Sequence, residues 1–241
     1  MSAPVETGAT PARTAPVAVI VAIDGPSGTG KSSTSKAVAA RLGLSYLDTG
    51  AQYRAMTWWM ISNGVDVTDA VAVATAAGKP VVVSGTDPDG PTITVDGTDA
   101  AGPIRTQDVT ARVSAVSAVP EVRAVVTELQ RSIAAAAPNG IVVEGRDIGT
   151  TVLPDADVKI FLTASPEARA ARRSNELTGK EAADVATTKD ALIKRDAADS
   201  SRKTSPLAKA ADAVEIDTTD LTLQQVVERV VSLVEEKRAA V

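Results

Sequence analysis

Cysteine and histidine are both absent from the 241 residues. Without them, disulfides, thiolate nucleophiles, ordinary zinc ligand sets and imidazole acid–base catalysis are excluded. A basic surplus is lacking too. Lys and Arg number 25 against 30 Asp and Glu, a formal charge of -5, which argues against a protein that coats nucleic acid. No apolar run approaches the roughly 20 residues that cross a bilayer. The opening stretch 1–16 sets Pro4, Pro11 and Pro16 among small residues, without the basic-then-apolar order of a secretory signal. The sequence therefore reads as a cytoplasmic chain with a disordered N-terminal tail over 1–16 and neither a nucleic-acid nor a membrane partner. Its chemistry must run on carboxylates, Lys, Arg, hydroxyls, backbone amides and a hard metal ion. With 44% apolar residues, the length suits one substantial α/β unit with a small inserted lobe.

The run from Val17 to Ile23 is apolar without alternation, as a strand buried on both faces of a parallel sheet would be. A helical pattern follows from Lys31 to Leu42, closed by Gly43, then a strand at Ser45–Leu47 and a helix to about Asn63. The β-α-β-α order predicts a doubly wound sheet. From Lys79 the texture changes to two β-rich pieces, Val81–Ser84 and Thr92–Gly97, around a turn-rich segment, which predicts a hairpin inside an inserted lobe. Helices are expected from Thr106 to Ser117 and from Pro120 to Ala137. Strands are expected at Ile141–Glu144, Val158–Leu162 and Ala213–Ile216, a charged helical stretch from Glu167 to Ser201 broken near Gly179, and a final amphipathic helix from Leu223 to Lys237.

Directly after the first strand stands Gly25-Pro26-Ser27-Gly28-Thr29-Gly30-Lys31-Ser32-Ser33, which fits the phosphate-binding loop of ATP- and GTP-using proteins. The glycines let backbone N–H groups curl toward phosphate oxygens, and the following helix start adds partial positive charge. Lys31, expected to be little buried, would reach the β- and γ-phosphates of ATP, with the Ser32 hydroxyl on Mg²⁺. Such a loop serves kinases, switches and motor ATPases alike. The Asn-Lys-x-Asp segment of a guanine-reading switch is absent.

Two further segments leave strands at the edge where doubly wound sheets bind ligands, Asp48-Thr49-Gly50-Ala51-Gln52-Tyr53-Arg54 and Glu144-Gly145-Arg146-Asp147. Each delivers an Arg, whose planar fork of donors suits phosphate. Arg195, Asp199 and Arg202 recur at i, i+4 and i+7, on one helix face, and Arg169, Arg172 and Arg173 form a similar basic face upstream. In a phosphotransferase such arginines would neutralise charge spreading over the phosphoryl group in flight. Were the acceptor itself a phosphate, its oxygen would already be ionised near neutral pH and need no general base, which would leave Asp147 a positioning role. Glu144 is a candidate to orient Mg²⁺-bound water.

These motifs, with Ile104-Arg105-Thr106-Gln107, the run from Glu144 to Ala156, and Arg195-Asp196 through Arg202-Lys203-Thr204-Ser205-Pro206-Leu207, closely resemble the bacterial cytidylate kinase family. The resemblance runs from about Val19 to the final helix. It implies a P-loop kinase with an α/β/α three-layer fold, a parallel central sheet, an inserted β-containing NMP-binding lobe and a helical lid. The core would comprise about 17–64 and 138–241, the insert about 65–137 and the lid about 169–190. It implies transfer of the γ-phosphoryl of ATP to CMP or dCMP with Mg²⁺, by a monomer. Arg54, Arg146 and Arg202 resemble the family's grips on the acceptor phosphate. Thr49, Asp147 and Arg195 resemble its contacts to acceptor sugar and phosphate, with Asp48 beside them, and Ser114, Arg123 and Asp199 fall where the family reads cytosine. Lys31, Arg146, Asp147, Arg172 and Arg195 would carry the transfer. Gln52, where an apolar residue is usual, and the Ala- and Thr-rich stretch from Asn175 to Thr188 depart from the pattern.

Overall fold

The computed structural model describes residues 18–176 and 185–240. The tail expected over 1–16 and the centre of the expected lid, 177–184, lie outside the described residues.

Strand β1 (Val19–Asp24) sits at the centre of a five-stranded parallel sheet with β2 (Ser45–Asp48), β6 (Gly140–Gly145), β7 (Val158–Thr163) and β8 (Val214–Asp217), in the order β2-β6-β1-β7-β8. Its lack of alternation has the expected cause, because both faces are covered. Val19, Val21 and Ile23 face helices α1 (Lys31–Leu42) and α8 (Leu223–Ala239) in one apolar cluster, which gathers Val38, Val227, Val230 and Val234. Ala22 faces the opposite cluster with Leu47, Ile141, Val143 and Ile148. Gly43 closes α1 with φ 65, donating its N–H back to Ala39 and Ala40.

Helix α2 (Thr49–Ser62) starts at Asp48, whose carboxylate accepts from Ala51 N at 2.9 Å. Its Met56 and Met60 share an apolar cluster with the inserted elements: α3 (Ala70–Ala76), β3 (Val82–Ser84), β4 (Ile93–Val95), α4 (Gln107–Val116) and α5 (Pro120–Ala136). The hairpin β3–β4 is antiparallel as expected, and a two-residue strand, β5 (Thr98–Asp99), extends it to three strands. Both β5 and α3 escape sequence reading, since two and seven residues are too short to display a period. Gln52 is fully buried and donates to Ser84 Oγ at 3.1 Å, so the polar residue in an apolar setting hydrogen-bonds α2 to the insert. The charged stretch forms two helices, α6 (Pro166–Glu176) and α7 (Val185–Ser200), which pack on each other. No helix among the described residues is long and apolar enough to cross a membrane.

Gly140 opens β6 at φ 96, and a Cβ there would overlap the backbone of its partner Val19. Gly140→Ala is expected to lower unfolding free energy by about 2–4 kcal/mol, read as a lower urea midpoint at unchanged m-value.

Candidate active site

Asp24 ends β1 and Gly25 begins the loop at φ 145, where a Cβ would strike the Leu162 carbonyl of β7. Gly28 and Gly30 follow at φ 79 and 88. This left-handed backbone is open to glycine at little cost, and it curls the chain into the start of α1. No side chain caps α1 and no acidic residue stands in its first turn, so its leading N–H groups remain available to an anion.

Lys31 is buried, 7% exposed, contrary to the expectation of small burial. The curled loop folds over its stem, and Nζ donates to Pro26 O at 2.5 Å. Burial and then the nearby Arg146 push its pKa well down, with Glu144, Asp24 and Asp196 opposing. Ser32 donates its hydroxyl to Glu144 Oε2 at 3.0 Å, while the buried Tyr46 hydroxyl donates to Glu144 Oε1. Burial chiefly, with Asp48 adding, raises the Glu144 pKa to about 7. Thr49 Oγ1 donates to Glu144 O at 2.6 Å, fastening α2 to β6.

The second loop is held to the first by one carboxylate. Asp24 accepts from Ile148 N at 2.9 Å and Gly149 N at 2.8 Å, immediately after Arg146-Asp147. Burial raises its pKa to about 6 against these two bonds. Asp147 pairs with Arg123, which also donates to Ser117 O at 3.2 Å and lies 5.3 Å from the Tyr53 ring centre. Asp199 on α7 receives two arginines, Arg146 Nε at 3.0 Å and Arg202. Arg202 donates further to Ser117 Oγ at 3.1 Å.

Arginines outnumber carboxylates at the centre of this site. Burial lowers the pKa of Arg54, with Asp48 opposing and Arg105, Arg146 and Arg173 adding. Burial, Arg146 and Arg54 bring Arg195 down to about 9, and its Nε is buried without a hydrogen-bond partner. Cations crowded together at low solvation are matched chemically to a polyanion.

A single cavity of about 310 Å³ joins both groups. Ser27, Gly28, Gly30, Lys31, Ser32 and Ser33 line one side. Asp48, Thr49, Arg54, Ser114, Arg123, Arg146, Asp147, Arg195, Asp199 and Arg202 line the other, with Glu144 between. Gly25, Pro26 and Thr29 shape the loop from behind; Thr29 Oγ1 donates to Pro26 O at 3.1 Å. Arg172, expected among the transfer residues, does not line this cavity. It donates to Thr218 Oγ1 at 2.9 Å and Thr218 O at 2.5 Å, while Arg173, the next residue around α6, lines the cavity instead. Neighbouring helix residues point about 100° apart, and sequence alone does not say which faces inward. Arg105, Lys36, Tyr46 and Tyr53 also line the cavity without having been singled out for the site. Arg105 stands in a motif that was recognisable, whereas Tyr46 lies in an ordinary apolar strand with no local signal.

The family model for cytidylate kinase matches residues 21–236. This chain belongs to the cytidylate kinase family. The cytidylate kinase of Streptomyces coelicolor is 80% identical over 234 residues, spanning 97% of this chain and 99% of that one. That of Streptomyces avermitilis is 79% identical over 229 residues, 95% of this chain and 97% of the relative. The more distant cytidylate kinase of Nocardia farcinica keeps 50% identity over 220 residues, 91% and 94%. A gluconokinase structure from Sinorhizobium meliloti matches at 14% identity and a TM-score of 0.46 over 95% of this chain and 94% of that one, too loose a likeness to inform the site.

The raised Glu144 pKa has a consequence for stability. A carboxyl whose pKa rises on folding from 4.5 to about 7 is held more tightly protonated by the folded state, so its contribution declines as pH rises through that window. In metal-free buffer, Glu144→Gln is therefore expected to lose less stability than the parent protein between pH 5 and 7. Parallel melting-temperature slopes for the two proteins would refute this.

Proposed function

We propose that this chain moves the γ-phosphoryl group of ATP onto CMP or dCMP, releasing ADP and CDP or dCDP. The carrying observation is the convergence on one cavity of a glycine-rich loop leading into an uncapped helix start and a cluster of arginines in excess of their carboxylates. The loop suits a triphosphate, and the cluster suits a second phosphate facing it. The names of the Streptomyces relatives support cytidylate as the acceptor.

Arg54, Arg146 and Arg202 grip the acceptor phosphate, and Lys31 and Arg195 face the group in flight. Transfer needs alignment and charge neutralisation rather than a protein nucleophile, which accords with a chain lacking Cys and His. The attacking phosphate oxygen is ionised beforehand, and water is kept out by the same packing that desolvates the arginines. Thr49 and Asp147 position the sugar, with Asp48 capping the helix that carries Thr49 and Arg54. Mg²⁺ fits the oxygen donors present: the Ser32 hydroxyl would sit on the cation and Glu144 would orient a water bound to it, in place of the hydrogen bond between the two. When bound, it neutralises phosphate charge.

Asp199, Arg123 and Ser114 read the base. An ionised Asp199 only accepts, Arg123 only donates and Ser114 does either, a set that fits the amine, ring nitrogen and carbonyl of cytosine and misfits uracil. Because Asp199 also holds Arg146 and Arg202, its loss weakens phosphate grip for every acceptor, and discrimination must be read as a ratio.

The decisive assay couples ADP formation to CMP, dCMP and UMP. Efficiency is expected to favour CMP and dCMP, with the CMP:UMP ratio of kcat/KM falling in Asp199→Asn; equal use of UMP would sink the cytosine reading. Arg146→Ala should cost on the order of 2–5 kcal/mol in kcat/KM for CMP while leaving ATP affinity near normal, and the reverse pattern would exchange the two sides. Lys31→Met, which retains bulk at a buried position, is expected to lower kcat about 100-fold or more. EDTA should abolish turnover in the parent enzyme.

A further inference from the structure

Asp196 on α7 has no place in the acceptor or metal chemistry described above. Its Oδ1 accepts from Ser27 N at 3.1 Å, and its other oxygen pairs with Arg169 of α6. Arg169 in turn donates to Ser27 O at 3.2 Å. One side chain from each helix therefore holds the N–H and the C=O of a single loop residue. The pair is largely removed from solvent, the Arg169 and Asp196 side chains being 8% and 16% exposed. Gly28 packs directly on the same Arg169, whose Cβ is 3.1 Å from where a Gly28 Cβ would stand.

Fixing both main-chain groups of Ser27 fixes the peptide planes on either side of it. Gly28 and Gly30, the residues with the greatest rotational freedom in the loop, come directly afterwards. A loop that binds phosphate through oriented N–H groups loses affinity when those groups must first be ordered. Buried ion pairs contribute little to net stability because desolvation offsets the attraction, so stability alone gives little reason for this pair.

We propose that Asp196 and Arg169 are positioning residues for ATP, holding the phosphate loop in its binding conformation through Ser27. The proposal rests on the reading of this loop as the ATP side of the site and makes no use of the acceptor's identity. Asp196→Asn keeps an acceptor for Ser27 N and loses the ion pair; Asp196→Ala loses both; Arg169→Lys keeps the charge.

The test is calorimetric titration of a non-hydrolysable ATP analogue with Mg²⁺, and separately of CMP, into the full-length protein and each variant, alongside melting temperatures. Asp196→Ala is expected to weaken the ATP analogue about tenfold or more, Asp196→Asn less and Arg169→Lys least, with CMP affinity changed less than threefold. The double variant Arg169→Ala/Asp196→Ala should be no worse than the poorer single one, because both act through one unit. Unchanged analogue affinity in Asp196→Ala would overturn the proposal. So would equal weakening of both ligands with a fallen melting temperature, which indicates general loosening. Tighter analogue binding in Asp196→Asn would show that the carboxylate competes with phosphate for the loop, and would also overturn it. A parent protein that fails to bind the analogue overturns both this proposal and the reading it rests on.

Discussion

Parallel pairing of β1 with β6 in register sets Asp24 opposite Gly145, so two loops leave the sheet side by side at the same height. The first is the glycine-rich loop, the second Arg146-Asp147. Asp24 then joins them by accepting from Ile148 and Gly149. Both loops depend on that register for their relative position, and it follows from burial. β1 and β6 are covered on both faces, and a one-residue slip would exchange the side chains that meet the two apolar layers.

Around this junction the molecule concentrates charge that it cannot fully neutralise. Burial raises the pKa of Glu144 to about 7 and that of Asp24 to about 6, and burial, followed by the neighbouring Arg146 and Arg54, brings Arg195 down to about 9. A protein selected only for stability would place apolar residues here. Asp199 illustrates how the arrangement is kept in order: one carboxylate holds Arg146 and Arg202 apart from each other yet oriented to the same cavity. The arginines are thus preorganised, which lowers the reorganisation that an arriving anion would require.

Helix α7 contributes to both sides of the cavity. Arg195, Asp199 and Arg202, just past the helix end, belong to the arginine cluster, while Asp196 reaches back to Ser27. The insert is attached as firmly: α2 buries its methionines among the inserted helices and strands, and Gln52 bonds Ser84 across the same contact. The insert is therefore packed against α2 and not merely connected to it by chain.

Local pattern was sufficient for the parallel sheet, the phosphate loop, the hairpin and most helix limits, because each depends on periodicity, glycine placement or capping within a few residues. Gly43 and the buried run of β1 are legible for that reason, and so are the clusters that carry Arg54, Arg146 and Arg202. Contacts across the chain were not legible. Which of Arg172 and Arg173 faces the cavity depends on how α6 is rotated against Thr218, just past β8. That Lys31 is buried depends on the loop folding over its stem. Tyr46 meets Glu144 across 98 positions and Asp196 meets Ser27 across 169, separations at which neither residue's neighbours in sequence carry any trace of the partner. The sequence by itself determined the kind of protein and where its glycine-rich and arginine-bearing loops stand in the chain. Only the packing of helices on the sheet decided which charges are desolvated together, because desolvation is a property of surroundings that the chain acquires on folding.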